Sequence, residues 1–173
     1  LRILCKPKIF PHLNNPSRIV DYLPTDLVRV QFSRFDHDLV AQHGMIGELV
    51  EPILSDAKIF GVSGKTVDWA NQDPNHLNMA AQWHKGNMEL HYQDSPSLSP
   101  TMFIQGGSGA FRRAEFLRLG GFQPFFAPGY WEDYDISFLA LKCGWRNLYN
   151  PRALAHHLGE GSMKRAHGND YIG

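Results

Sequence analysis

Cysteine is almost missing from this 173-residue chain: Cys5 and Cys143 stand far apart and outside any Cys-x-x-Cys spacing. That excludes a zinc ribbon or a disulfide-dense scaffold and leaves reduced, structural cysteines as the expectation. An excess of either charge is also missing, since 17 Lys and Arg balance 17 Asp and Glu. The electrostatic footprint of a nucleic-acid binder or a basic membrane-surface protein is therefore lacking. No apolar run approaches the roughly 18 residues that span a bilayer. The opening Leu1-Arg2-Ile3-Leu4-Cys5-Lys6-Pro7 lacks a signal-peptide core. The expectation is a soluble, cytoplasmic protein with no transmembrane segment and no nucleic-acid partner. Internal repeats and low-complexity blocks are absent as well. What is present is 43% hydrophobic residues, enough for one domain with a real core.

Pro7, Pro11, Pro16 and Pro24 forbid a long helix near the start, so residues 1–26 read as an irregular lead-in. From Leu27, Val28, Val30 and Phe32 alternate with Arg29, Gln31 and Ser33, the period of a half-buried strand. Ile46 to Asp56 reads as a helix that Pro52 kinks or restarts, and Lys58 to Ser63 as a strand. Asn71 to Pro100 reads as a long excursion in which only Met88 to Tyr92 is extended. Thr101 to Gln105 is predicted as a central, buried strand running into Gly106-Gly107-Ser108-Gly109. A short helix over Arg113 to Leu119 should stop at Gly120-Gly121, and a second should run from Asp133 to Cys143. Trp145 to Tyr149 and Ala153 to Ala155 read as short strands on either side of Pro151. Alternating strands and helices favour a layered α/β domain.

Two Asp-x-Asp patterns occur, Asp36-His37-Asp38 and Asp133-Tyr134-Asp135, where chance alone gives about 0.7. If Asp36 and Asp38 converge at a strand end, they suit a hard divalent cation such as Mg²⁺ or Mn²⁺; the bland alternative is a solvated turn. The run Gly106 to Gly109 matches neither a nucleotide-binding loop nor Gly-x-Gly-x-x-Gly. Small residues there allow a ligand close to bare backbone N–H groups, and a tight turn without ligand fits equally. Glu132 and Asp133 stand beside Trp131 at a predicted helix start, where a carboxylate can simply cap. The functional alternative is a general base beside a wall of Phe125, Phe126, Tyr130 and Trp131 on which a sugar ring could stack. Of His156 and His157, a strand sends one inward and one outward.

These pieces follow one another in a recognisable order. The run from Gly106 to Met163 carries Gly106 to Gly109, Arg112-Arg113, Gly120-Gly121-Phe122 and Glu132-Asp133-Tyr134-Asp135, then Trp145, Pro151 and His157. It resembles the C-terminal half of family 2 glycosyltransferases of the GT-A fold, over about a third of the chain. Asp36-His37-Asp38 lies about 25 residues before Phe60-Gly61-Val62-Ser63-Gly64-Lys65, where that family places its metal-binding Asp-x-Asp. The family's N-terminal nucleotide-binding half has no counterpart in the stretch before Asp36, and the chain starts at Leu1 rather than Met. The chain is accordingly read as a piece of a longer enzyme or a shortened relative.

The resemblance implies an α/β fold with a mixed sheet flanked by helices, an incomplete GT-A (Rossmann-like) domain with a family-like core over residues 27–163 and a tail over 164–173. It implies Asp133 as the catalytic base, with Glu132 orienting base or acceptor. It implies a divalent cation (Mg²⁺ or Mn²⁺) held by Asp36, Asp38 and His157. Gly106, Gly107, Ser108, Gly109, Tyr130, Trp131 and Asp135 are implied as substrate-binding. The implied activity is metal-dependent, inverting transfer from a nucleotide-sugar donor to a glycan or other hydroxyl acceptor; self-association into a homo-oligomer is left open. Two other readings remain: a non-catalytic glycan-binding or assembly module, and a metal-dependent hydrolase using Asp36, Asp38 and His157.

Overall fold

The computed structural model describes residues 30–32, 39–70, 72, 74–76, 78–126 and 131–157. Two long strands organise it. Strand β3 (Ile59–Asp68) and strand β9 (Arg146–His157) lie side by side and parallel, a pairing that needs a long crossover. Antiparallel neighbours complete a mixed sheet. On one side β8 (Gly109–Arg112) pairs with β3, and β1 (Val30–Phe32) with β8; on the other, β2 (Leu39–Ala41) pairs with β9. Strands β4 (Pro74–His76) and β7 (Ser99–Pro100) extend β3 and β9.

Helices cover both faces. In α1 (Met45–Ser55) the buried Met45, Leu49, Val50 and Ile53 recur at helical spacing, and they pack with Ile59, Val62, Ala110 and Leu148. Pro52 lies inside α1 rather than ending it. Its ring has no N–H for the Glu48 carbonyl, and the Asn150 side-chain amide donates to that carbonyl instead, at 2.8 Å. At the other end of α1, the Arg112 guanidinium donates to the carbonyls of Ile53 and Asp56, which the helix leaves without internal partners. The opposite sheet face carries α2 (Arg113–Arg118) and α3 (Glu132–Lys142), with Phe60, Ile104, Phe111, Phe116, Ile136 and Ala140 between them. The three helices thus fall within two residues of their predicted bounds.

Three expectations about strands need correction. Thr101 to Gln105 is buried as expected, yet it is not a strand. Its N–H groups go to scattered acceptors, Thr101 to the Asn147 carbonyl, Met102 to the Met79 carbonyl, Ile104 to Ser137 Oγ and Gln105 to Ser63 Oγ. The excursion from 71 to 100 contains a regular hairpin, β5 (Asn78–His84) and β6 (Asn87–Gln93), paired residue for residue as a separate two-stranded sheet. Its turn, Lys85 (φ 49°) and Gly86 (φ 84°), has positive φ at both positions, the geometry that matches strand twist. The last two short strands are one, because a register shift between Gly64 and Lys65 carries β9 past Pro151 without breaking the pairing.

Cys143 is disulfide-bonded, where a reduced thiol was expected. The chain's other cysteine, Cys5, lies outside the described residues.

Candidate active site

Helix α3 opens without a side-chain cap. Trp131 precedes it in the left-handed region (φ 73°), 61% exposed, a conformation that costs a bulky residue energy and recurs at functional sites. Glu132, Asp133 and Asp135 fill the first turn, where negative charge is favoured by the helix dipole. Asp133 turns inward. Its Oδ2 accepts the Gly106 N–H at 3.0 Å, and its Oδ1 accepts the N–H of Tyr134 at 2.9 Å. One turn on, Ser137 Oγ accepts the Ile104 N–H at 2.9 Å. Residues 133 and 137 share a helix face, so α3 clamps the irregular 101–106 segment at two points. That clamp brings the glycine turn to the carboxylate.

Burial pushes the Asp133 carboxyl up from 3.8 to about 6, with the neighbouring Glu132 charge adding to the rise and the Gly106 N–H opposing it. Glu132 Oε2 is buried and has no hydrogen-bond partner among the described residues. A carboxylate oxygen in that state is costly unless something else binds there. Tyr134 lies flat on Phe103, with ring centroids 4.3 Å apart, and meets Trp131 at 5.0 Å. Its hydroxyl is 2.8 Å from that of Tyr92, and burial raises its pKa well above the ordinary phenol value.

The glycine-rich run divides in two. Gly106 and Gly107 are half-buried, and a Cβ on Gly106 would stand in ordinary contact with the Asp133 carboxylate, at 3.6 Å. Ser108 and Gly109 are buried and packed inward. Ser108 Oγ donates to Gln105 Oε1 at 2.5 Å and accepts from Thr66 Oγ1 at 3.2 Å. A Cβ on Gly109 would stand 2.5 Å from the Gln105 carbonyl oxygen, so that glycine permits chain approach rather than ligand approach. Asp135 is exposed on the outer side of the first turn. Phe125 and Phe126 form an edge-to-face pair at 5.1 Å, Phe125 almost wholly in solvent. Tyr130 lies outside the described residues.

Asp36 and Asp38 also lie outside them. His157 ends β9, and its register partners are Leu39 on one side and Asp68 on the other. The residue following the acidic pair is thus held opposite His157. No group of three His, Cys, Asp or Glu side chains able to hold a metal exists among the described residues. His156 faces the other way from its neighbour in the strand and meets Trp69 edge-on at 5.3 Å. Sequence reasoning missed Tyr92. The Lys85-Gly86 pair between two alternating segments was the signal for the hairpin that carries Tyr92.

No protein-family model matches the chain, and no curated protein matches it in sequence. Its fold does match a solved one: the crystal structure of GalNAc-T7 with UDP, GalNAc and Mn²⁺, at a TM-score of 0.58 over 77% of this chain. The chain has the GT-A fold. Identity is 16%, which establishes the fold and not a family, and the chain spans 28% of the length of the GalNAc-T7 chain. Within this GT-A fold, Asp133 heads a helix on one sheet face, and the glycine turn delivers a backbone N–H to it.

Proposed function

We propose that this chain is the acceptor-side part of a family 2-like glycosyltransferase that moves a sugar from a nucleoside-diphosphate sugar to a hydroxyl acceptor, with inversion. The acceptor oxygen forms its bond to the anomeric carbon while the bond from that carbon to the diphosphate breaks and the nucleoside diphosphate leaves. Asp133 takes the hydroxyl proton, and Glu132 Oε2 receives a hydrogen bond from the acceptor. The observation that carries this reading is the half-buried Asp133 carboxylate, positioned by Gly106 on a GT-A fold beside an unpartnered Glu132 oxygen and an exposed Trp131. A base with a pKa of about 6 is ionised at neutral pH and more basic than an ordinary carboxylate.

Asp36, Asp38 and His157 are the residues proposed to hold a divalent cation, supported by the Leu39 to His157 pairing and by an oxygen and nitrogen donor set that suits Mg²⁺ or Mn²⁺. When bound, such an ion neutralises charge on the leaving diphosphate. The solved neighbour was crystallised with Mn²⁺ and UDP, which adds to the same reading. On location, the disulfide at Cys143 favours an oxidising compartment over the cytoplasmic expectation.

The test uses the natural polypeptide that contains this chain, with Mn²⁺ and a panel of nucleoside-diphosphate sugars, UDP-linked ones among them. Nucleoside diphosphate release that requires the metal and is lost in Asp133→Asn supports the proposal. Glycan binding with no metal-dependent affinity for any nucleotide sugar points to the non-catalytic module. Release of free sugar with no acceptor product points to a hydrolase.

A further inference from the structure

The β5–β6 hairpin has two unlike faces. Alternation puts Ala80, Gln82, His84, Asn87, Glu89 and His91 on one, where His84 Nδ1 stands 3.2 Å from Glu89 Oε1 and Gln82 Nε2 3.1 Å from His91 Nε2. The acidic and basic side chains of the two strands, His84, Glu89 and His91, are all there. The other face is a strip of three uncharged rungs, Met79 with Tyr92, Ala81 with Leu90, and Trp83 with Met88. The first rung is anchored: Met79 is buried, and the Thr101 side chain and Met102 N–H bond to its backbone. The outer rung overhangs into solvent, with Trp83 76% and Met88 43% exposed.

The anchored end meets the candidate base. Tyr92, 53% exposed, bonds to Tyr134, which follows Asp133 directly and touches Trp131. An apolar, partly aromatic track thus runs from Trp131 through Tyr134 and Tyr92 to Trp83. The hairpin strip measures about 20 Å by 10 Å, on the order of 200 Å². A stable dimer needs about 800 Å² from each partner, so a second copy is not what this strip fits. Without a Lys or Arg on it, it offers nothing to an anionic lipid or a sulfated chain. Flat rings with hydroxyls at one end fit the apolar faces and polar rims of neutral sugars.

We infer that this face of the hairpin is an acceptor track, binding the neutral oligosaccharide that extends away from the hydroxyl at Asp133, with Trp83 and Tyr92 as stacking residues. The inference rests on the transferase reading and adds to it the chemical class of the acceptor. It makes chain length the property the protein recognises.

The experiment measures binding of the natural polypeptide to an array of neutral hexose and N-acetylhexosamine oligomers of one to six units, with uronate and sulfated oligomers as the charged arm. Affinity should rise with length among neutral oligomers. Trp83→Ala should weaken the longer ones about threefold to tenfold, leave monosaccharides unchanged, and be rescued by Trp83→Tyr. At 76% exposure Trp83 supports little of the fold, and an unchanged melting temperature verifies this. Length-independent or absent binding overturns the inference, as does preference for the charged arm, or a change in sedimentation with the variant. Nucleotide-sugar turnover whose acceptor KM is indifferent to Trp83→Ala removes the track and leaves the transferase. Length-dependent binding lost in Trp83→Ala with no turnover removes the transferase and leaves the track.

Discussion

Asp133→Asn should make the protein more stable while stopping transfer. The carboxyl rises from 3.8 to about 6 on folding, mainly because burial disfavours its charge, which corresponds to about 3 kcal/mol against the folded state once the group is ionised. The direction follows from proton binding. Between pH 3.8 and about 6 the folded chain holds a proton that the unfolded chain has released, so stability is full below about 3.8 and falls as pH rises through about 6. Asparagine carries no charge to desolvate. It can keep one of the two N–H bonds, from Gly106 or Tyr134, and losing the other costs about 1 kcal/mol. The net gain is about 1–2 kcal/mol at pH 8, or roughly 2–8 °C in Tm for a chain of this size. At pH 4 the gain should vanish. Thermal melts of both proteins from pH 4 to 8 test it, and a variant no more stable at pH 8 than at pH 4, relative to wild type, would refute the reasoning. In the same variant, transfer should fall by about 10² to 10⁴, and wild-type activity should rise as pH passes upward through about 6.

Asn150→Ala strands the Glu48 carbonyl that Pro52 cannot serve, and should cost about 1–3 kcal/mol in denaturant melts. Pro52→Ala restores an N–H to that carbonyl, so the double variant should recover part of the loss; strict additivity would show that the two are not coupled. Gly109→Ala forces a Cβ to within 2.5 Å of the Gln105 carbonyl oxygen and Ile104 Cγ2, and should cost more than about 2 kcal/mol by the same measurement. Cys143 should resist alkylation in unfolded, unreduced protein and react after reduction; ready alkylation before reduction would refute the disulfide.

Local signals in the chain were enough for the helices, for the position of Asp133 at a helix start, and for an α/β layered class. Helix α1 announces itself through apolar spacing, α2 through its glycine stop and α3 through an acidic first turn and a glycine stop, all properties of neighbouring residues. The order of motifs from Gly106 to His157 carried the GT-A resemblance, and the solved neighbour bears out the fold. What needed the tertiary structure were facts about partners distant in sequence. Thr101 to Gln105 has the apolar character of a strand, but its N–H groups are claimed by Ser63 and Ser137 side chains and by carbonyls at 79 and 147, so no ladder forms. Ser108 and Gly109 look like a ligand cradle in one dimension; Thr66, Gln105 and Val62 occupy that space in three. The basicity of Asp133 comes from burial under the clamp between α3 and the 101–106 segment, and desolvation has no local sequence signature. The track from Trp131 to Trp83 joins residues 48 positions apart through one hydroxyl pair, Tyr92 to Tyr134. Short-range pattern decides which segments become helices, while long-range packing decides which polar groups are left facing a substrate.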